Sequence, residues 1–159
     1  LKKLGESIPE GKFAKRYAGM AKELGIYLVV GMLEAEGDDR FNSAAVFGPS
    51  GEFLGLARKM SSPAVLPVPW GKLGVVIGGG KIPDSNTEIV VCLAGSTPIA
   101  PAKSKRHVVF VHPTEFLVSK PDGSVMTRTV LGEERFLPLV EAETETDLRH
   151  VFYVDLPLR

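Results

Sequence analysis

The side chains best suited to covalent or acid–base chemistry are few in this sequence. Cys92 is its only cysteine, and it lies in a run of β-forming apolar residues, 89–93. Free cysteines in such runs are commonly buried and inert, so we interpret Cys92 as structural. A displaced nucleophile is the alternative, because the sequence contains no other thiol. His107, His112 and His150 match no metal-binding spacing, and no metal site is predicted.

Two short motifs also suggest chemistry. Residues 78–80 are three glycines and precede Lys81, as in a phosphate-binding loop, but the spacing to the other residues of that motif fails. A flexible turn is the better interpretation. His112 and Glu115 lie close together in sequence, and we interpret them as a coincidental surface pair. No Gly-x-Ser-x-Gly motif of a serine hydrolase is present.

The elements that must position these residues are mostly strands. Apolar residues at helical spacing predict a helix over 12–24, and Gly25 follows as a left-handed cap. The β-rich run 26–33 predicts a strand buried on both faces. Pro98 and Pro101 weaken a second helix near residues 99–105. Further strands are predicted at residues 42–47, 53–57, 65–68, 73–77, 89–93, 107–112, 116–119, 125–130 and 151–156.

Length and charge limit the classes of function. The 159 residues suit a single domain, predicted to span residues 1–159, and 44% of them are hydrophobic, enough for a core. Nineteen basic residues balance nineteen acidic ones, so nucleic acid is not an expected partner. No apolar run approaches the roughly 20 residues of a membrane-spanning helix, and no signal peptide is seen, so no membrane partner is expected. With a single cysteine, these features favour a cytoplasmic location.

Several phrases, taken in order, resemble the nitrilase, or carbon–nitrogen hydrolase, superfamily. FNSAAVFGPSGE at residues 41–52 resembles the family's hairpin pattern YNSAVVIGPDGE. Arg58-Lys59-Met60 falls where the family has its catalytic lysine, and residues 69–77 resemble the strand that delivers its nucleophile. Residues 24–31, 120–125 and 154–156 resemble the preceding helix-to-strand junction, the last hairpin and the terminal strand.

This resemblance implies an α/β fold, an abbreviated α-β-β-α sandwich of two β-sheets with reduced helical layers. It also implies cofactor-free hydrolysis of amides or nitriles by a Glu-Lys-Cys triad. In that mechanism a thiolate attacks carbon, a glutamate acts as general base and a lysine stabilises the anionic intermediate. Only Lys59 matches a triad member. Gly78 stands where the family has its cysteine, and the family's glutamate-bearing N-terminal strand would precede residue 1.

The leading hypothesis is therefore a nitrilase-like protein that is catalytically inactive and has a binding or assembly role. A carbon–nitrogen hydrolase of small amides or nitriles, represented here by an incomplete chain, is the alternative, so whether the protein is an enzyme stays open. Reduced helical layers would uncover sheet faces, so self-association into a homodimer or larger oligomer is expected. A small amide-like molecule is the expected ligand. No cofactor is expected, and no substrate-binding residue is assigned.

Overall fold

The computed structural model describes residues 5–61, 63–78, 86–93, 106–112 and 115–130. Within these residues one helix precedes nine strands. They are α1 (Lys12–Leu24), β1 (Leu28–Glu36), β2 (Asp39–Phe47), β3 (Phe53–Arg58), β4 (Ala64–Val68), β5 (Gly71–Ile77), β6 (Ile89–Leu93), β7 (His107–His112), β8 (Glu115–Ser119) and β9 (Val125–Val130). The predicted second helix near 99–105 and the predicted strand 151–156 lie outside the described residues.

Helix α1 has the predicted bounds, and its two ends are built differently. At its C-terminus Gly25 adopts the left-handed conformation, with φ 62°, and donates its backbone N–H to carbonyls of the last turn. At its N-terminus Gly11 offers no side chain as a cap. The carboxylate of Glu6 acts instead, accepting the backbone N–H groups of Phe13 at 2.9 Å and Ala14 at 2.6 Å. A side chain from outside the helix therefore accepts hydrogen bonds from two backbone N–H groups that have no acceptor within the helix.

Strands β1, β2 and β3 form an antiparallel three-stranded sheet in that order, referred to here as the small sheet. Strand β1 extends to Glu36, three residues beyond the predicted run. Its predicted burial on both faces is wrong, because β1 is the edge strand of this sheet and most of its residues are partly buried. A segment before α1 pairs with it at one place, where Glu6 bridges Glu34 in parallel.

The other six strands form one mixed sheet, the large sheet, in chain order from β4 to β9. Strands β5, β6 and β7 are parallel to one another, whereas β4, β8 and β9 pair antiparallel with their neighbours. The carboxyl ends of β5, β6 and β7 therefore meet at one edge. In parallel sheets this edge is where ligands usually bind.

Strand β2 joins the layers because both of its faces are buried. Ala45 and Phe47 pack under α1 with Ala14 and Ala21. Alternate residues of a strand point to opposite faces, so Ala44 and Val46 face the large sheet. There they pack with Ala57, Leu73 and Val75. The result is an α/β architecture of one helix over two facing sheets, which confirms the predicted fold class. No helix among the described residues is long and apolar enough to cross a membrane.

The remote cap at α1 gives the first prediction. Replacing Glu6 with alanine should lower the free energy of unfolding by about 1 kcal/mol, because two backbone N–H groups lose their acceptor. Urea unfolding followed by circular dichroism measures the change. Glu10→Ala is the matched control, since Glu10 makes only an exposed contact with Lys15 at 3.5 Å and should change stability little. Equal losses in both variants would contradict a capping role for Glu6.

Candidate functional site

Lys59 follows directly after β3 and lies on the face of the small sheet that looks toward the large sheet. Arg58 pairs with Ser43 on the face that carries α1, so the next side chain points to the opposite face. The backbone N–H of Lys59 donates to the carbonyl of Asn42 at 2.8 Å. The side chain is exposed, and it extends from an anchored backbone position toward β5.

Gly78 lies at the end of β5, directly opposite Lys59. Its backbone N–H donates to the carbonyl of Leu93 at 2.8 Å. Its φ is 66°, a left-handed conformation that glycine adopts at low cost. A Cβ added at Gly78 would lie 3.6 Å from Cε and 3.9 Å from Cγ of Lys59, which is ordinary contact distance. The structure thus brings together the two positions that the sequence assigned to the lysine and the nucleophile.

A buried ion pair lies immediately beside Lys59, on the opposite face of the small sheet. Glu34 is 3% exposed and accepts hydrogen bonds from Arg58 at 2.8 Å (Nε) and 2.6 Å (Nη2), and from the Ser43 hydroxyl. The hydrogen bonds from Arg58 hold the pKa of Glu34 below its ordinary value, although burial opposes them. The same pairing raises the pKa of Arg58. Both groups are therefore charged at neutral pH.

Cys92 lies on the face of the large sheet that is turned away from the small sheet. It lies in β6 beside Val76, in an apolar cluster with Val90, Val108 and Phe110, and it is 1% exposed. Burial raises the pKa of its thiol to about 12. The next residue, Leu93, faces the small sheet instead, with its Cδ1 3.4 Å from the Cβ position of Gly31. The expectation of a buried thiol is confirmed, and Cys92 points away from Lys59.

The histidines add no second site among the described residues. His107 is buried, with 7% exposure. His112 and Glu115 are register partners in the β7–β8 hairpin. Glu115 is only 7% exposed, so the interpretation of these two as a surface pair is wrong for the glutamate. The described residues contain no group of three or more side chains that could hold a metal ion. His150, Gly79, Gly80 and Lys81 lie outside the described residues.

The Glu34–Arg58 pair is the feature that sequence reasoning missed. The predicted strand ends at residue 33 and does not include Glu34. A signal was present: the face that carries Leu28, Val30 and Met32 continues to Glu34 at the next alternate position. A carboxylate continuing an apolar face indicates a buried partner, because an unpaired buried charge is costly.

Comparison with known proteins identifies the class to which this fold and site belong. The carbon–nitrogen hydrolase family matches residues 3–116 of the chain, and the chain belongs to this family. A nitrilase of Pyrococcus abyssi is 40% identical over 57 residues, which are 36% of this chain and 21% of the relative.

Solved structures agree in fold. An amidase from Nesterenkonia sp. AN1 superposes with a TM-score of 0.61 and 18% identity, over 79% of this chain and 67% of the amidase. Saccharomyces cerevisiae Nit3, a member of the nitrilase superfamily, gives a TM-score of 0.64 and 13% identity, over 80% of this chain and 65% of Nit3. The chain therefore aligns with about two thirds of these structures and with a fifth of the Pyrococcus nitrilase.

The burial of Cys92 gives the second prediction. At pH 8 a thiol of pKa about 12 is roughly one part in ten thousand thiolate, so native protein should resist iodoacetamide. The same protein unfolded in urea should be alkylated at one site, as intact mass will show. Because the folded pKa is raised, the stabilising effect of the buried thiol holds below about pH 8.5 and declines as pH rises toward 12. Complete alkylation of the native protein at pH 8 would contradict a buried Cys92.

Proposed function

We propose that this chain is a non-hydrolysing member of the carbon–nitrogen hydrolase family that binds a small amide or carboxylate beside Lys59. The observation that carries the proposal is Gly78. Its Cβ position lies 3.6 Å from Cε of Lys59, so the described part of the site has a cation and, at the facing residue 78, no nucleophilic side chain.

The chemistry of the remaining groups supports binding without turnover. Thiol-dependent hydrolysis needs a thiolate that can reach the substrate carbon while a cation stabilises the developing oxyanion. Gly78 has no side chain, and Cys92 is buried on the other face with a pKa raised to about 12. An ammonium group can still donate charge-assisted hydrogen bonds to a carbonyl or carboxylate oxygen. Lys59 is exposed and able to do so.

A structural relative offers a precedent for such binding. A variant of the Nesterenkonia amidase, in which a cysteine is replaced by alanine, was solved in complex with butyramide. An amide can thus occupy a site of this fold in a variant that lacks a cysteine. We use butyramide, and butyrate as its carboxylate counterpart, as probes for this chain.

The third prediction separates binding from hydrolysis. Wild-type protein should release no ammonia from butyramide above the buffer rate, while titration followed by NMR shows saturable shifts. Lys59→Met should weaken binding of the preferred probe by about 10- to 100-fold, as expected for the loss of one charge-assisted hydrogen bond. Lys72→Met is the matched control, because Lys72 lies in β5 at the end opposite Gly78 and is also exposed. Ammonia release that Lys59→Met abolishes would overturn the proposal in favour of the hydrolase alternative.

Assembly is a second candidate function, and the surface of α1 favours it. Phe13, Tyr17, Met20 and Leu24 recur at spacings of four, three and four residues, so they form one stripe along the helix. Phe13 is 54% and Leu24 62% exposed. The stripe lies beside the alanine face that packs on the small sheet, and exposed apolar surface of this kind often marks a protein contact.

We propose a second copy of the chain as the partner, because the stripe is complementary to itself. In an antiparallel pair of α1 helices, Phe13 would lie opposite Leu24, and Tyr17 opposite Met20. Arg16 and Glu23 border the stripe on the same flank. Like flanks meet in such a pair, so Arg16 of one copy would approach Glu23 of the other. Opposite charges would then fix the orientation.

The fourth prediction follows from this pairing. Wild-type protein should sediment as a dimer at micromolar concentration, and Leu24→Lys should weaken dimerisation by about 100- to 10,000-fold, since each of the two copies loses a buried leucine that contributes about 1.5–3 kcal/mol. Lys15→Gln is the control, because Lys15 lies on the opposite side of α1, and its variant should remain dimeric. A strictly monomeric wild-type protein at high concentration would contradict self-association through α1.

A further inference from the structure

The ion pair between Glu34 and Arg58 is more elaborate than stability alone requires. Glu34 is 3% exposed while the Arg58 side chain keeps 29% exposure, and taking a carboxylate out of water costs free energy that an ion pair does not always recover. Well-packed apolar residues of similar volume are often as stabilising as such a pair. A buried pair that persists beside a candidate binding site is therefore a candidate for a positional role.

Arg58 is held on several sides at once. Two of its nitrogens donate to the two carboxylate oxygens of Glu34, at 2.8 and 2.6 Å. It also contacts the exposed carboxylate of Glu36 at 2.9 Å. The carbon centre of its guanidinium group lies 4.2 Å from the centroid of the Phe41 ring, within the range of a cation–π contact. A planar guanidinium bound by a fork of two bonds has little freedom to rotate.

The backbone on both sides of Lys59 is fixed by these and neighbouring contacts. On one side Arg58 is bound to β1 through Glu34. On the other side the Arg58 carbonyl accepts the backbone N–H of Ser61 at 3.2 Å and its hydroxyl at 2.8 Å, closing a turn. Met60 within that turn has a φ of 68°. Lys59 therefore projects toward Gly78 from a backbone that is held by contacts at residues 58 and 61.

We propose that Glu34 and Arg58 are positioning residues that hold the Lys59 ammonium group against the Gly78 position. The pair acts from the face opposite the site and touches no ligand. The use of Lys59 in ligand binding rests on the function proposed above, whereas its placement by Glu34 and Arg58 does not. The two can be tested separately.

A cysteine placed at residue 78 can report the position of Lys59. The added Cβ meets Lys59 at ordinary contact distance, although a φ of 66° strains a residue other than glycine by about 1–2 kcal/mol. A nearby ammonium group lowers a thiol's pKa and so raises its thiolate fraction at neutral pH. Methyl methanethiosulfonate is the reagent, because it is neutral and contains no amide, and its rate of reaction with the thiolate is measured against pH.

The fifth prediction compares this pH profile among variants. At pH 7, Gly78→Cys should react about tenfold faster than the double variant that also carries Lys59→Met. Replacing Glu34 and Arg58 together with methionine removes one charge of each sign and leaves an apolar pair that can fold. In the Gly78→Cys background this replacement should reduce the rate to that of the Lys59→Met double variant. An unchanged profile, with the circular dichroism of the folded protein retained, would overturn the positioning role.

One control variant and one substitute measurement complete the comparison. Glu36→Gln in the Gly78→Cys background should leave the profile almost unchanged, because the Glu36 side chain is 65% exposed and its contact with Arg58 is screened by water. If Gly78→Cys does not fold, NMR of methylated lysines in the Gly78 protein replaces it. The Lys59 signal, assigned with Lys59→Met, should then change position when Glu34 and Arg58 become methionine, while the signal of Lys72 stays in place. A signal that does not move would overturn the proposal.

The thiosulfonate reagent contains no amide or carboxylate, so its pH profile separates the two proposals. A shifted profile in a protein that does not bind butyramide or butyrate would reject the proposed function and retain the positioning role. Butyramide binding that depends on Lys59, together with an unshifted profile, would do the reverse.

Discussion

The burial of β2 on both of its faces is the constraint on which the rest of the structure depends. Five consecutive residues, from Ser43 to Phe47, are almost inaccessible to water, because α1 covers one face and the large sheet covers the other. A shift of one residue in register would exchange the two faces, so the pairing of β2 with β1 and β3 is strongly determined. That pairing in turn places Arg58 and Lys59 on opposite faces of the small sheet. Apolar packing around β2 therefore determines the geometry of the ion pair and of the site.

The end of β5 keeps its place in the fold with glycine at residue 78. Gly78 keeps its backbone hydrogen bond to β6, and the sheet-to-sheet contact is made by residues before it, such as Leu73 and Val75. No described core contact needs a side chain at residue 78. A glycine at this strand end therefore removes no described core contact, and membership of a family does not by itself fix an activity.

Local patterns predicted the elements well but not the interactions between distant parts of the chain. The helix over 12–24 and the strands at 89–93, 107–112 and 125–130 have the predicted bounds, because periodicity and a glycine cap act over a few residues. Strand β1 was predicted too short and too buried, since its place at a sheet edge depends on the other strands. Glu34 and Arg58 are 24 residues apart, and only the register of three strands brings them together. Lys59 likewise lies near Gly78 because the two sheets face each other. The family resemblance implied this arrangement, whereas periodicity alone could not predict it.

The segment before α1 connects the start of the helix to the edge of β1. The side chain of Glu6 occupies the start of the helix, while its backbone pairs with Leu33 and Ala35, on either side of Glu34. Detachment of this short segment would therefore uncap α1 and expose the edge of β1 at Glu34 in a single event. Hydrogen exchange at the first turn of the helix and at Ala35 would then report one opening reaction with one free energy. The opening of one short peptide would therefore release the start of the helix and the backbone on either side of Glu34 together.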